Sequence, residues 1–423
     1  MRKRVVITGL GVAAPNAVGV PSFLTAIQEG RSGITFQPDL AELKFSCQVG
    51  GIPPVTDAIR HQFFTELKLH QLNSSGIVYG VIAGMEAWHH AGLPIATEEP
   101  DWQSGIVFGT GMLGVDKFRE AIYKVDQGQV RRLGSTVVVQ TMTSGVSAFL
   151  GGMIGCGNQL TANSSACATG TEALLLGYER IVAGSAERML VGSCSDHGPY
   201  IWGGFDAMRV LPYQHNNSPE KASRPLSATA GGFVPGSGAG ALVLESLESA
   251  QKRNATIYAE VLGGHINSGG QRNGGSMTAP NATSVQRCIQ KALEQARIQA
   301  GDIDVIDGHL TATAKDPDEV SGWTNALGRN GADFPYINSL KSMVGHCLSA
   351  AGSIECVAAV LELHEGFIYP SINCEDLHPD ITAIIASEKI PQQVIHRDIN
   401  VIAKANFGFG DVNACVILTK FQS

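Results

Sequence analysis

The sequence predicts an α/β protein whose sheets are covered by helices on both faces, and three observations carry the prediction. Strand-like and helix-like segments alternate from one end to the other. The strand-like runs are continuously apolar instead of alternating in and out. Many of the 50 glycines lie between these runs, seven adjacent pairs among them, as tight strand-to-helix turns require. With 423 residues, 44% of them hydrophobic, the chain can fill one large core or two fused domains. No Pro/Ser linker interrupts it, so residues 1–254 and 255–423 are expected to share one core.

Residues 4–8 read as a strand, followed by a turn and a helix over 22–28. Residues 71–91 read as an amphipathic helix closed by Gly92 and Pro94, and His89 and His90 in its last turn are favourable C-terminal cations. A buried strand over 105–109 runs into Gly109-Thr110-Gly111-Met112-Leu113-Gly114. No acidic residue closes a strand about 20 residues on, so this is a tight turn and not a dinucleotide fingerprint. Further strands are expected at 189–192, 241–245, 255–266, 305–307, 336–338, 400–403 and 414–418. Helices are expected at 172–183, 247–253, 283–297, 319–327 and 348–365.

Composition excludes several classes. A net charge of −8 leaves no global footprint for nucleic acid. Nine scattered cysteines, never spaced C-x-x-C, argue against a zinc site or disulfide frame and fit a reducing cytoplasm. Met1-Arg2-Lys3-Arg4 is not followed by the apolar stretch of a signal peptide. No apolar run approaches the roughly 20 residues needed to cross a bilayer.

Three distant segments carry chemistry. In Ser165-Ala166-Cys167-Ala168-Thr169-Gly170, the cysteine sits where a β-prone run meets a helix. Free N–H groups and the helix dipole there are expected to favour thiolate. Asp307-Gly308-His309-Leu310-Thr311-Ala312-Thr313 and Ser339-Leu340-Lys341-Ser342-Met343-Val344-Gly345-His346 each follow a strand directly, where α/β sheets build sites. A sulfur to carry an acyl group and two imidazoles to stabilise an enolate oxygen are what a carbon–carbon condensation needs. Asn406-Phe407-Gly408-Phe409-Gly410-Asp411 adds a glycine loop with two aromatics, fit for the wall of an acyl pocket.

In these segments, and in Ser223-Arg224-Pro225 and Gly236-x-Gly238-Ala239-Gly240, the chain closely resembles the elongating β-ketoacyl-acyl-carrier-protein synthases of the thiolase-like superfamily. The resemblance runs from Val5 to Asn413. It implies a five-layer αβαβα fold with duplicated halves, the nucleophile in the first half and the His/Lys/His set and gating loop in the second. It implies Cys167 as acyl acceptor, His309 and His346 as the decarboxylating pair, and Lys341 tuning that pair, with Glu355, Thr311 and Thr313 in support. Phe409 resembles the gate, its N–H forming an oxyanion hole with that of Cys167. No cofactor or metal is implied. Substrates would ride on the phosphopantetheine of a separate acyl carrier protein, met by a basic patch for which Lys68, Arg131 and Arg132 are candidates. The resemblance also implies a dimer, with itself or with a ketosynthase-like subunit, in fatty-acid or specialised polyketide and polyene synthesis.

Several positions depart from the family pattern. Leu310 stands where glycine is usual, the acids Asp316, Asp318 and Glu319 are shifted by one position, Asp411 and Val412 replace Gly-Thr, and Glu172 is an added carboxylate. The altered 310–319 loop and Glu172 raise the alternative of a ketosynthase that condenses an acyl thioester with a β-ketoacyl thioester and closes the product into a ring. A silent partner subunit, disfavoured by the intact Cys167, and a thiolase using Cys347 are the other readings.

Overall fold

The computed structural model describes residues 3–65, 72 and 74–422. Its main sheet runs, in spatial order, Tyr336–Asn338, Val305–Asp307, Val401–Gly408, Val412–Thr419, Ala259–Ser268, Val5–Ala14, Gly238–Ser246, Arg188–Ser195, Ser104–Thr110 and Leu160–Thr161, with Ala17–Val18 pairing off Val5–Ala14. The middle is a narrow join in which only Val5, Val6 and Ile7 pair with Val261, Glu260 and Ala259.

On either side of the join the same pattern appears. From the centre outwards each half makes two antiparallel and then two parallel pairings. In chain order the five strands of each half take the same places. The duplication is thus visible in the topology itself.

Helices make the remaining layers. Ser75–His90 and Gly145–Ile154 pack on the outer face of the first half. Ala282–Ala296 and Asp316–Leu327 pack on the outer face of the second. Thr169–Val182 and Ala351–Glu365 lie between the two halves. The expected five layers are present.

The 71–91 segment differs from its expected amphipathic form. Its helix is Ser75–His90, buried almost all round, because its glycines and alanines let neighbouring elements approach from every side. A Cβ at Gly9 or Gly11 would overlap the carbonyls of Ala87 and Ala83. Its start is held by Asp196, which accepts from the Ser74 and Ser75 hydroxyls and the Gly76 N–H. His90 is spent on structure, its Nδ1 accepting from the Leu10 N–H at 3.1 Å.

The two central helices meet through glycine at the same relative position. Gly170 is the second residue of one and Gly352 the second of the other. A Cβ on Gly170 would overlap the Ser353 N, and one on Gly352 would lie 2.6 Å from the Thr171 N. Both helix starts are thereby brought to one point, at the C-terminal ends of the parallel strands. Among the described residues no helix is long and apolar enough to cross a membrane.

Candidate active site

Cys167 lies in a one-turn 3-10 helix, Ala166–Ala168, immediately before Thr169–Val182. Ala166 has φ +49°, a left-handed value that costs a non-glycine residue about 1–2 kcal/mol. The turn is fixed by the Thr169 hydroxyl, which donates to the Ala166 carbonyl at 2.7 Å and accepts from the Ser165 N–H at 2.9 Å.

His346 is held by its own backbone. Its N–H donates to the Val234 carbonyl at 2.7 Å, and its carbonyl accepts from Gly236 at 2.8 Å. Gly236 must be small, since a Cβ there would sit 2.9 Å from the Val344 carbonyl and 3.0 Å from Cys347 Sγ. On the ring, Nδ1 accepts from the Leu348 N–H at 3.1 Å, which places the proton of the neutral imidazole on Nε2. That Nε2 is 3.1 Å from Cys167 Sγ.

His309 is fixed by the shifted acids. Glu319 accepts the N–H groups of His309 and Leu310, both at 2.7 Å. Asp316 accepts those of Thr311, Ala312 and Leu226 at 2.8 to 3.1 Å. The one-position shift therefore still leaves a carboxylate clasp on this loop. Burial, with Asp316 adding to it, pushes the Glu319 carboxyl up to about 7.

Asn406 approaches the other side of His309. Glu355 Oε2 can only accept, so the Asn406 amide nitrogen, 2.9 Å away, must face it. The same nitrogen lies 3.2 Å from His309 Nδ1, and the Asn406 oxygen accepts from the Thr171 hydroxyl at 2.6 Å. His309 is thus also left with its proton on Nε2. Lys341 pairs with Glu355 Oε1, and the Ser223 hydroxyl donates to the Lys341 carbonyl at 2.6 Å.

The sulfur and one nitrogen of each ring all lie within 4.8 Å of one another, and the rings cross edge-to-face at 5.5 Å between centroids. No other cluster of metal-ligating side chains converges among the described residues. Two Nε2–H donors suit an oxyanion.

Burial and then Lys341 hold His346 down to about 3, and burial with Lys341 and His346 holds His309 well below its ordinary value. Both imidazoles are neutral donors at physiological pH. The sulfur departs from expectation. Burial pushes the Cys167 thiol up to about 11, against the opposing pull of Lys341 and the Phe409 N–H. Desolvation outweighs the helix dipole at this partly buried sulfur.

These groups open on a cavity of about 900 Å³. Its lining includes the apolar Met112, Ile201, Phe205, Phe233 and Leu348, together with Thr278, Thr311, Thr313 and Lys315. The Thr311 and Thr313 hydroxyls are 3.0 Å apart. Phe409 lies tilted to Phe205 at 6.2 Å between centroids, and Phe205, Phe233 and His346 continue edge-to-face. Gly408 presses on the nucleophile turn: a Cβ there would stand 3.1 Å from the Cys167 N and 2.9 Å from the Ser165 carbonyl.

Asp411 is buried at φ +60° and staples the gating loop to the 269–281 segment. Its carboxylate accepts from Gln271 at 2.9 Å and Asn281 at 2.8 Å, while its carbonyl accepts from Gly269 at 2.9 Å. Gly410 donates to the Met277 carbonyl at 2.8 Å.

Other expectations fall away from the cavity. Leu310 turns into the outer core with Ile306, Trp323 and Ile337, and Glu172 accepts from the Asn163 amide at 3.1 Å; neither lines the cavity. Cys347 is buried with its thiol towards the Val344 carbonyl, so it is no second cavity cysteine. Arg131 and Arg132 are exposed on the turn Val130–Arg132, and Lys68 lies outside the described residues. Asn406 and Lys404 were not foreseen as site residues, although a lone lysine inside Val401-Ile402-Ala403-Lys404-Ala405 is a visible signal of a buried partner.

Comparison with known families decides the identity. The beta-ketoacyl synthase N-terminal domain matches residues 2–250 and its C-terminal domain residues 258–375. The chain belongs to the β-ketoacyl synthase family. It is 32% identical over its whole length to the chloroplastic 3-oxoacyl-[acyl-carrier-protein] synthase I of Arabidopsis thaliana, covering 87% of that protein. A beta-ketoacyl synthase from Burkholderia phymatum superposes with a TM-score of 0.90 at 27% identity, over 99% of this chain and all of the other. A type II polyketide ketosynthase, solved with its acyl-carrier protein and bound to a hexaketide, gives 0.87 at 28% identity over the full length of both. The β-ketoacyl synthase fold and acyltransferase class thus apply to this chain.

Proposed function

We propose that this β-ketoacyl synthase lengthens an acyl chain by decarboxylative condensation with a malonyl group, both delivered on the phosphopantetheine of a separate acyl carrier protein, in fatty-acid or specialised polyketide synthesis. The observation that carries it is the convergence of one thiol and two neutral imidazoles, the sulfur and one nitrogen of each ring within 4.8 Å of one another, on a cavity of about 900 Å³.

Loading moves the acyl carbon from the carrier sulfur to Cys167 Sγ, and the Cys167 proton leaves with the carrier thiol. The thioester oxygen is received by the N–H groups of Cys167 and Phe409, the two backbone donors that also pull on the sulfur. A malonyl thioester then places its oxygen between His309 and His346. Loss of CO₂ leaves an enolate that both donors stabilise, and its carbon attacks the Cys167 thioester. Collapse frees the sulfur, which takes one proton from solvent to return to the thiol that its high pKa favours. Burial, helped by Lys341, keeps both rings neutral, and no cofactor enters a step.

The exposed side chains Phe118, Ile122, Tyr123, Val125, Val130 and Val138 support a second subunit on the 115–138 face, next in sequence to the proposed carrier contacts Arg131 and Arg132. Nine free cysteines accord with a reducing cytoplasm.

Incubation with a defined acyl-carrier thioester and malonyl-carrier tests the reading. Expected are an acyl adduct on Cys167 by intact mass, CO₂ release, and a β-ketoacyl product. An adduct elsewhere, or no CO₂ from malonyl donors, sinks it.

A further inference from the structure

Behind the two histidines lies a polar seam with no access to solvent. Across three neighbouring parallel strands, Asn338, Asp307 and Lys404 stand in register on one row. Facing them on the helix Ala351–Glu365 are Glu355 and Glu362, two turns apart. Every one of these five side chains is buried. Burying charge is costly, and an apolar row would fill the same space more cheaply. The seam therefore needs an account.

Its centre is Glu355, whose two oxygens are used differently. Oε1 belongs to Lys341. Oε2 receives Lys404 Nζ at 2.7 Å and the Asn406 amide at 2.9 Å. The Lys404 ammonium also donates to the Ala405 carbonyl at 2.6 Å, so it is fixed at both ends. Removing it would leave Oε2 with the Asn406 amide alone and Asp307 without the cation beside it. An ionised Oε2 is what forces the Asn406 amide nitrogen towards Glu355, and that orientation sets the proton on His309.

We propose that Lys404, acting through Glu355 and Asn406, is a positioning residue for decarboxylation: it locks His309 with its proton on Nε2, the nitrogen left free to meet the substrate oxygen. This rests on the condensing role assigned above to His309. Lys404 touches neither substrate nor the reacting sulfur. Its influence runs along one chain of contacts, from Lys404 to Glu355, to Asn406 and to His309 Nδ1. The charges accord with this. Burial raises the Glu355 carboxyl, but Lys341 and then Lys404 outweigh it and hold it at about 2, so Oε2 stays an acceptor throughout the working pH range. Around His309 the charged and titratable groups are Cys167, Lys341, His346 and Lys404, with Glu319 on its backbone N–H and Glu355 beyond Asn406.

Two measurements test the proposal. In the intact wild-type enzyme labelled with ¹⁵N-histidine, His309 is expected to show a protonated Nε2 and a bare Nδ1 at neutral pH. A proton on Nδ1, or a doubly protonated ring, overturns the assignment without any variant having to fold. In Lys404→Met, acyl loading of Cys167 is expected to stay within about twofold of wild type, while malonyl decarboxylation falls at least about tenfold and its acid limb moves up in pH. Decarboxylation within twofold of wild type, or loading and decarboxylation falling together, overturns it. Failure of the wild-type enzyme to load Cys167 is a separate result that sinks the functional reading instead.

Discussion

The two halves build the same corner and use it for different purposes. In each, a one-turn 3-10 helix precedes a central helix: Ala166–Ala168 before Thr169–Val182, and Leu348–Ala350 before Ala351–Glu365. In each, the residue three before the helix has a left-handed φ, +49° at Ala166 and +51° at Leu348. Cys167 and Ser349 therefore occupy equivalent places, and both line the cavity. The cysteine is left for chemistry. The serine hydroxyl is committed to the Cys194 carbonyl at 2.7 Å, and its corner gives the Leu348 N–H to His346 instead. One corner supplies the proposed nucleophile and the other orients a ring beside it.

The difference extends to the interior. In the first half the strand Arg188–Ser195 meets the helix Ala351–Glu365 through a neutral contact, Ser193 and Ser353 sharing a hydrogen bond of 2.7 Å. Behind the histidines the seam holds two lysines and three acids. A buried charge acts over distance on an ionisable neighbour. The half that must hold two imidazoles neutral has the charges.

Several experiments break or sharpen this contrast. Cys167→Ala is expected to abolish acyl loading altogether, read by intact mass. The rate of iodoacetamide attack on wild-type Cys167 should climb about tenfold per pH unit between roughly pH 7 and 10, because a thiol near 11 gains thiolate in that proportion; a plateau below pH 8 would show the dipole prevailing over burial. His309→Ala should still load but lose on the order of 10²–10³ in decarboxylation rate, as removal of one oxyanion donor does. Gly352→Ala, which drives a methyl towards the Thr171 backbone, should cost about 1–3 kcal/mol, seen as a lowered Tm. Ser349→Cys in a Cys167→Ala background should restore no loading at all; an acyl adduct on the thiol introduced at that corner would end the claim that the two are functionally distinct.

Much of this was legible in the sequence because strands and catalytic loops announce themselves locally. The three segments around Cys167, His309 and His346 each follow an apolar run, so a turn at the strand's end is foreseeable. Asp316 and Glu319 stand out in the sequence as misplaced acids, but only the fold shows them clasping the 309–312 backbone. Asn406 was hidden because its role depends on a carboxylate 51 residues away in the chain. That Leu310 and Glu172 lie off the cavity was not legible, because sequence proximity to Cys167 or His309 says nothing of where a side chain points. The burial of the 75–90 helix on all sides was hidden too, since small residues on every face carry no periodic signal.

The Asp411 staple has one further consequence. Phe409 cannot swing away without either breaking the anchoring bonds at positions 410 and 411 or dragging residues 269–281 along. Thr278 and Pro280 belong to that segment and also border the cavity. Movement at Phe409 and movement of the Thr278–Pro280 edge of the cavity are therefore mechanically coupled in this protein.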